Sequence, residues 1–307
     1  RQKRFVVVLG FTAILLAGAF FFVRINPACR QNLAVHHAQY QELAEALSEG
    51  KVSVGDAEEA LLAMKNPYDT IALQAAGIGY RADYAYHNGK YYVYFGIVPV
   101  LLLYLPYYLL TRGALQNYVA VFVFFAGFII AAAGFVYELM KRYFKEQPFY
   151  LWAVGTGMLV GSYSMFYLLI RPDLYHVPIV ASAMFATGGL WLYLAGLNRP
   201  KKAVGLYAFG SFCMALTAGC RPQFILFAAL AVVLFWERVF VKRELFSKKG
   251  WRQTAALVVP YVLIAAGLMA YNALRFGSPF DFGASYSMTS NDMTHRGTNL
   301  ERILYGI

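Results

Sequence analysis

The residues of this chain that could do chemistry are gathered into a few short polar stretches between long apolar ones. Arg81-Ala82-Asp83-Tyr84-Ala85-Tyr86-His87-Asn88-Gly89-Lys90 holds a carboxylate between cations, and Asn66-Pro67-Tyr68-Asp69 holds a second. Arg171-Pro172-Asp173-Leu174-Tyr175-His176 places a guanidinium, a carboxylate and an imidazole within six residues. Cys220-Arg221-Pro222-Gln223 and the run from Arg275 to Gly283 add further polar groups. A carboxylate can take a proton from a hydroxyl. Arg grips phosphate through two parallel hydrogen bonds, whereas Lys serves as a point charge. Each residue also has a plainer reading. Asp83 could pair with Arg81 or Lys90, Asp69 could cap or turn the chain after Asn-Pro, and Asp173 could pair with Arg171. Arg171, Arg221 and Arg275 could simply snorkel from helix ends. The adjacent His36 and His37 would point to different faces of a helix, so a joint metal site is not expected of them.

The elements that must position these groups are membrane helices. Of the 307 residues 60% are hydrophobic and 14% charged, against about 25% charged in an average soluble chain. Spans of roughly 20 apolar residues are expected at 5–23, 117–138, 149–170, 178–196, 203–219, 223–241 and 254–273. The fold class is therefore all-α, a polytopic helical membrane protein with about seven transmembrane helices. One more apolar stretch, 93–111, is long enough to cross, and counting it would reverse the orientation of everything after it. The basic clusters decide the parity. Arg1/Lys3/Arg4, Lys141/Arg142/Lys145, Arg199/Lys201/Lys202 and Lys242–Arg252 all fall on one side only if 93–111 does not cross, and Lys and Arg accumulate in cytoplasmic loops. The formal net charge of +11 then lies entirely on that side. With Gly96, Pro99, Pro106 and many tyrosines, 93–111 reads as an interfacial or re-entrant helix.

This layout gives a first transmembrane helix at 1–24, a loop at 25–116 with interfacial helices, a six-helix transmembrane region at 117–273 and a segment at 274–307. The N-terminus is expected in the cytoplasm of a bacterial cell, with 25–116 and 274–307 outside the plasma membrane. The basic charge reads as topology and attraction to anionic membrane lipids, with no nucleic acid partner. Within the loop, 38–49 is an amphipathic helix with Tyr40, Leu43, Ala44 and Leu47 on one face, ended by Gly50. A second helix is expected at 56–64, N-capped by Asp56, and Asn88-Gly89 marks a tight turn. Cys29, Cys213 and Cys220 form no framework. A Cys29–Cys220 bridge is open, beside the plainer reading of unpaired buried thiols. A start at Arg1 rather than Met is expected of a piece of a longer protein.

The pattern resembles the GT-C superfamily of membrane glycosyltransferases, nearest to family 39 with its protein O-mannosyltransferases and lipid A aminoarabinose transferase. The residues that carry the resemblance are the Tyr94-Phe95-Gly96-Ile97-Val98-Pro99 segment, the stretch 83–99, Asn-Pro-Tyr-Asp at 66–69 and Arg-Phe-Gly-Ser-Pro-Phe-Asp-Phe-Gly at 275–283. These strings look like those of an uncharacterised bacterial branch of that class. The resemblance implies transfer of a sugar from a polyprenyl-phosphate donor, with departure of the lipid phosphate. It implies Asp83, then Asp69, as the carboxylate that receives the acceptor proton. Lys90, Arg171, Arg221 and His176 would hold phosphate, and Asp173 could help hold a divalent metal ion. The chain departs from the family where Asp-Glu precedes a tyrosine, because His36-His37 stands before Tyr40. Either another carboxylate takes that role or the chain is not a transferase. A non-catalytic polyprenyl-lipid carrier handler or transporter, marked by broken helices or polar residues at the bilayer midplane, and a scaffold subunit of a cell-envelope complex are the other readings.

Overall fold

The computed structural model describes residues 2–30, 38–248 and 250–295. His36 and His37 lie outside the described residues. The chain forms two compact units, one comprising Arg1–Ala38 with Phe95–Gly267 and the other Gln39–Tyr94 with Leu268–Ile307. In chain order the helices are α1 (Gln2–Ile25), α2 (Gln39–Ser48), α3 (Glu59–Leu62), α4 (Thr70–Ala75), α5 (Ile97–Thr111), α6 (Asn117–Tyr143), α7 (Tyr150–Val160), α8 (Tyr163–Ile170), α9 (His176–Asn198), α10 (Ala203–Cys220), α11 (Pro222–Val241) and α12 (Trp251–Phe276). Six of these, α1, α6, α9, α10, α11 and α12, are long and apolar enough to cross a membrane. The protein is an all-α, multi-pass membrane protein.

The first unit is a helical bundle built around α6, α9 and α10. Phe124, Phe125, Phe128 and Ile129 of α6 are buried with Val177, Val180 and Ala181 of α9 and with Tyr207 and Met214 of α10. Trp152 of α7 is fully enclosed, donates its indole N–H to the Ala133 carbonyl at 3.0 Å and stacks on Phe149. Some polar groups inside the bundle pair with one another, whereas the buried Thr156 hydroxyl has no hydrogen-bond partner among the described residues. Tyr193 shares hydrogen bonds with Ser211 at 2.9 Å and with Tyr261 at 3.2 Å. Helices α1, α11 and α12 bury little of themselves. They leave Leu9, Ile14, Phe21, Leu230, Val233, Val262 and Leu263 exposed, an apolar exterior suited to lipid.

Two places depart from a simple row of spans. The stretch expected as one helix over 149–170 is interrupted, because Gly161 closes the last turn of α7 and Ser162 is extended (ψ 137°) before α8 begins. Gly155, Gly157 and Gly161 weaken the helix here, each by about 1 kcal/mol relative to Ala. The break falls about 16 Å along the helix, near half of the roughly 30 Å hydrocarbon thickness. The other departure is α5, which runs 15 residues, about 22 Å at 1.5 Å per residue. That is shorter than the bilayer core and agrees with a helix that does not cross. Its middle, Val100–Tyr104, is a widened π-helical turn between Pro99 and Pro106, whose missing N–H groups interrupt the normal ladder. Gly96 opens α5 in the left-handed region (φ 81°) and donates its N–H to the Cys220 carbonyl at 2.9 Å, while Tyr104 donates to Asn117 at 2.7 Å.

The basic clusters of this unit meet at one end of the bundle. Buried Glu138 pairs with Arg199, accepts from Asn198 at 2.7 Å and lies 3.8 Å from Lys141. Arg142 donates to the Leu197 carbonyl, Arg4 lies over the Phe149 ring, and Arg238 binds Tyr207, Glu244 and Gln253. Cys29, Cys213 and Cys220 are all buried and free, so the open Cys29–Cys220 bridge is not formed.

The second unit packs α2, a small antiparallel sheet and the chain after α12. Tyr40, Leu43 and Ala44 are the buried face of α2, and Gly50 (φ 75°) ends it. The sheet has the order β1 (Gly55–Asp56), β3 (Lys90–Tyr92), β2 (Ala85–His87). Asn88 and Gly89 form the tight turn of the β2–β3 hairpin with φ values of 49° and 78°, both positive as a type I′ turn requires. Asp56 is therefore a strand residue opposite Lys90 and not an N-cap, and α3 starts later, at Glu59. The hydrophobic alternation needed to show a two-residue strand is absent from so short a run. Phe276 packs on Ala85 and Tyr92 beneath the sheet. Arg275, 4% exposed, donates to the Val93 carbonyl at 2.7 Å and to Asn272 at 2.6 Å, stacked between Tyr271 and Phe276. It is a buried latch and does not snorkel.

Removing the Glu138 carboxylate takes the charged acceptor from Arg199 and Asn198 and leaves them only the backbone carbonyls of Ala195 and Glu138. Glu138→Ala is expected to cost about 1–3 kcal/mol, seen as a lower thermal midpoint in detergent, with Glu138→Gln intermediate. An unchanged midpoint in both variants would contradict this account of the basic end.

Candidate anion-binding site

At the opposite end of α10 from Arg199, the first unit collects a second set of polar side chains. The α8–α9 turn begins at Arg171, where α8 ends, and carries Asp173 back to the start of α9. Asp173 is the organiser of that turn. Its Oδ1 accepts the backbone N–H groups of Tyr175 at 2.9 Å and His176 at 3.2 Å. The same oxygen lies 2.8 Å from Nδ1 of His176, a close electrostatic contact without hydrogen-bond alignment. Burial acts to raise the Asp173 carboxyl, but His176 and the two backbone donors outweigh it and hold the carboxyl below its usual range. His176 meets the edge of Tyr167, whose hydroxyl accepts from Arg171 at 3.1 Å.

The turn positions Tyr175, and Tyr175 positions a cation. Its ring stacks on Phe95 with centroids 5.6 Å apart. The Arg221 guanidinium lies over both rings, 5.1 Å from Phe95 and 5.9 Å from Tyr175. Pro222 begins α11 directly after it, and the Gly96–Cys220 hydrogen bond fixes Phe95 beside it. Arg221 is partly buried, and its side chain makes no ion pair or hydrogen bond among the described residues. A guanidinium seated on aromatic rings with its donors unused suits a phosphate or carboxylate ligand. Arg171, Asp173, His176 and Arg221 are thus brought into one connected cluster, as their sequence stretches suggested. Phe95, Tyr167 and Tyr175, which connect them, were missed. Tyr167 and Tyr175 flank the Arg171 turn in sequence, a signal that the many other tyrosines hide, and nothing local joins Phe95 to it.

The other expected site residues lie in the second unit. Asp69 N-caps α4, its side chain accepting the Ala72 N–H at 3.0 Å, so the plainer reading of that residue describes what it does. Asp83 sits just before the hairpin with φ 61° and donates its own N–H to the Met288 carbonyl at 3.0 Å. Lys90 opens β3 with an exposed side chain and pairs with no carboxylate among the described residues. Arg81 does not turn to Asp83. It pairs with Glu42, donates to the Val54 carbonyl at 3.1 Å and lies over the Tyr84 ring at 3.9 Å. Tyr84 donates its hydroxyl to the same Glu42 oxygen at 2.8 Å. Burial first, and then the Glu42 carboxylate, push the Tyr84 hydroxyl well above the ordinary tyrosine range. Nothing in the sequence joins Glu42 to Arg81, 39 residues apart.

Asp173 with His176 supplies only two donors, and among the described residues no group of three or more His, Cys, Asp or Glu is placed to hold a metal ion. No known protein family, curated protein or solved structure matches the chain.

The Asp173 carboxyl is lowered in the folded state, so its ionised form is favoured by folding. The stability this adds is complete above the ordinary carboxyl value, about pH 4, and is lost as pH falls through the lower folded-state value. Asp173→Asn should lower the thermal midpoint at neutral pH and flatten its decline on acidification. Parallel midpoint-against-pH curves for the two proteins would contradict the assignment.

Proposed function

We propose that the chain is a membrane glycosyltransferase that takes a sugar from a polyprenyl-phosphate donor and passes it to a cell-surface acceptor. The observation that carries the reading is the Arg221 guanidinium, seated on Phe95 and Tyr175 with unused donors at one end of the bundle. It stands where a lipid-borne phosphate would arrive, since the helices around it are apolar along their length. Charge also supports an orientation. The basic clusters at the Glu138 end are assigned to the cytoplasmic side of a bacterial plasma membrane by the bias of Lys and Arg. The Arg221 end is then assigned to the outer side, as are the polar residues of the second unit.

In the proposed reaction an acceptor hydroxyl oxygen bonds to the anomeric carbon and the bond from that carbon to the lipid phosphate oxygen breaks. Arg221, with Arg171 and His176 in the same cluster, would balance the charge that builds on the departing phosphate. A carboxylate takes the acceptor proton, the role that the resemblance gives to Asp83. Asp69 is the weaker candidate because its carboxylate already caps α4.

A second reading has its own support. The break at Gly161–Ser162 is the kind of mid-depth interruption found where transporters bind substrate, and it favours a protein that handles a lipid carrier without transfer chemistry.

The test is binding and turnover measured together. Arg221→Ala is expected to weaken undecaprenyl-phosphate binding in native mass spectrometry by about tenfold, as for one lost charged hydrogen bond. Asp83→Asn should bind normally and abolish sugar transfer. Carrier binding with full insensitivity of any turnover to Asp83→Asn would move the assignment to the carrier-handling reading. Undiminished binding by Arg221→Ala would overturn the phosphate site.

A further inference from the structure

The Glu138 end of the first unit holds a cavity that the proposed transfer reaction does not use. It measures about 540 Å³ and is lined by residues of α1, α6, α9 and the start of α10. Its walls are apolar, with Leu9 from α1, Ile130 from α6, Trp191 and Leu192 from α9 and Leu206 from α10. Gly134 lets the Trp191 ring, one wall of the cavity, lie directly against α6, because a Cβ there would collide with that ring. From Ile130 to Glu138 the cavity follows eight residues of α6, about 12 Å at 1.5 Å per residue. At the Glu138 end its lining turns cationic, with Arg199 and Lys202.

Charge at that end exceeds what the fold consumes. Glu138 is the single carboxylate in the lining, and Arg199 and Asn198 already occupy it. Lys202 has no carboxylate partner among the described residues. Tyr137 is a wall of this cavity and of a neighbouring one of about 550 Å³, which is lined by Arg4, Lys141 and Lys145. An apolar slot that ends in surplus positive charge matches one class of molecule, an amphiphile with a hydrocarbon tail and an anionic head.

We infer that this cavity is a binding site for an anionic phospholipid, with an acyl chain between Leu9, Ile130, Trp191 and Leu206 and the phosphate headgroup against Lys202 and Arg199. The site is distinct from the Arg221 cluster, since the two lie at opposite ends of α10. The inference stands whether or not the chain transfers sugars. A free phosphate would use the cations but would leave the slot empty. A zwitterionic lipid would fill the slot but gain little from the surplus charge. The juxtaposition of both features is what selects an anionic lipid.

The experiment is native mass spectrometry of the whole detergent-purified protein titrated separately with phosphatidylglycerol, phosphatidylcholine and inorganic phosphate. Phosphatidylglycerol is expected to bind in preference to phosphatidylcholine. Lys202→Gln, an exposed change outside the core, should weaken phosphatidylglycerol about fivefold, near the value of one basic residue at a lipid surface. Ile130→Trp, which fills the slot from the partly exposed face of α6, should displace the lipid while leaving the thermal midpoint of the delipidated protein intact. Equal binding of phosphatidylcholine, or phosphatidylglycerol binding unchanged in both variants, would overturn the site. Displacement of the lipid by inorganic phosphate at millimolar concentration would reduce it to a small-anion site and equally overturn the proposal. Should Ile130→Trp fail to fold, the Lys202→Gln titration against both lipids decides alone.

Discussion

Hydrocarbon offers no partner to a backbone N–H or carbonyl, and each feature of the first unit answers to that constraint. Long helices satisfy their own ladders across the apolar depth. Where a ladder fails, another group steps in or the element stays short. The prolines of α5 interrupt its ladder, and α5 is a 15-residue helix whose first N–H group reaches the Cys220 carbonyl. Much of the buried side-chain polarity follows the same rule, as in the Ser211–Tyr193–Tyr261 chain of hydroxyls.

Charge is consequently exiled to the two ends of the bundle, and the ends use it differently. At the Glu138 end, Arg199 and Lys141 surround a buried carboxylate, and Arg238 joins α10, α11 and α12 through Tyr207 and Gln253. Those cations hold helices together. At the other end, Arg221 lies near two aromatic rings and makes no ion pair or side-chain hydrogen bond among the described residues. A cation seated on rings keeps its N–H groups open to a ligand in a way that a salt-bridged one does not. The same contrast separates Arg81, committed to Glu42 in the second unit, from Lys90, which is committed to nothing among the described residues.

The long-range architecture was legible because lipid imposes a strong and uniform pattern on sequence. Apolar runs located most of the helices to within a few residues, and the 15-residue length of α5 agrees with the expectation, drawn from the basic clusters, that 93–111 does not cross. The buried face of α2, its end at Gly50 and the Asn88-Gly89 turn followed from local chemistry alone. What escaped was whatever depends on distant pairing. The two residues of β1 have no period to read, so Asp56 passed for a helix cap. The interruption at Gly161 was masked by apolar residues on either side, since hydropathy does not register helix propensity. Within the polar stretches, residue type marked Arg171, Asp173, His176 and Arg221 as polar groups in turns between apolar helices. It could not show that Phe95 and Tyr175 unite them, nor that Arg81 would prefer Glu42 over the nearby Asp83.

The three thiols have a practical corollary. Cys29, Cys213 and Cys220 are all buried and unpaired, so a water-soluble maleimide meets almost no native background on the folded protein. Single cysteines introduced at exposed polar positions of either end of the bundle can be labelled selectively in intact cells, without first stripping out the natural ones. The wild-type chain is in effect its own cysteine-silent reference, and the sidedness of every loop can be mapped on an otherwise unaltered protein.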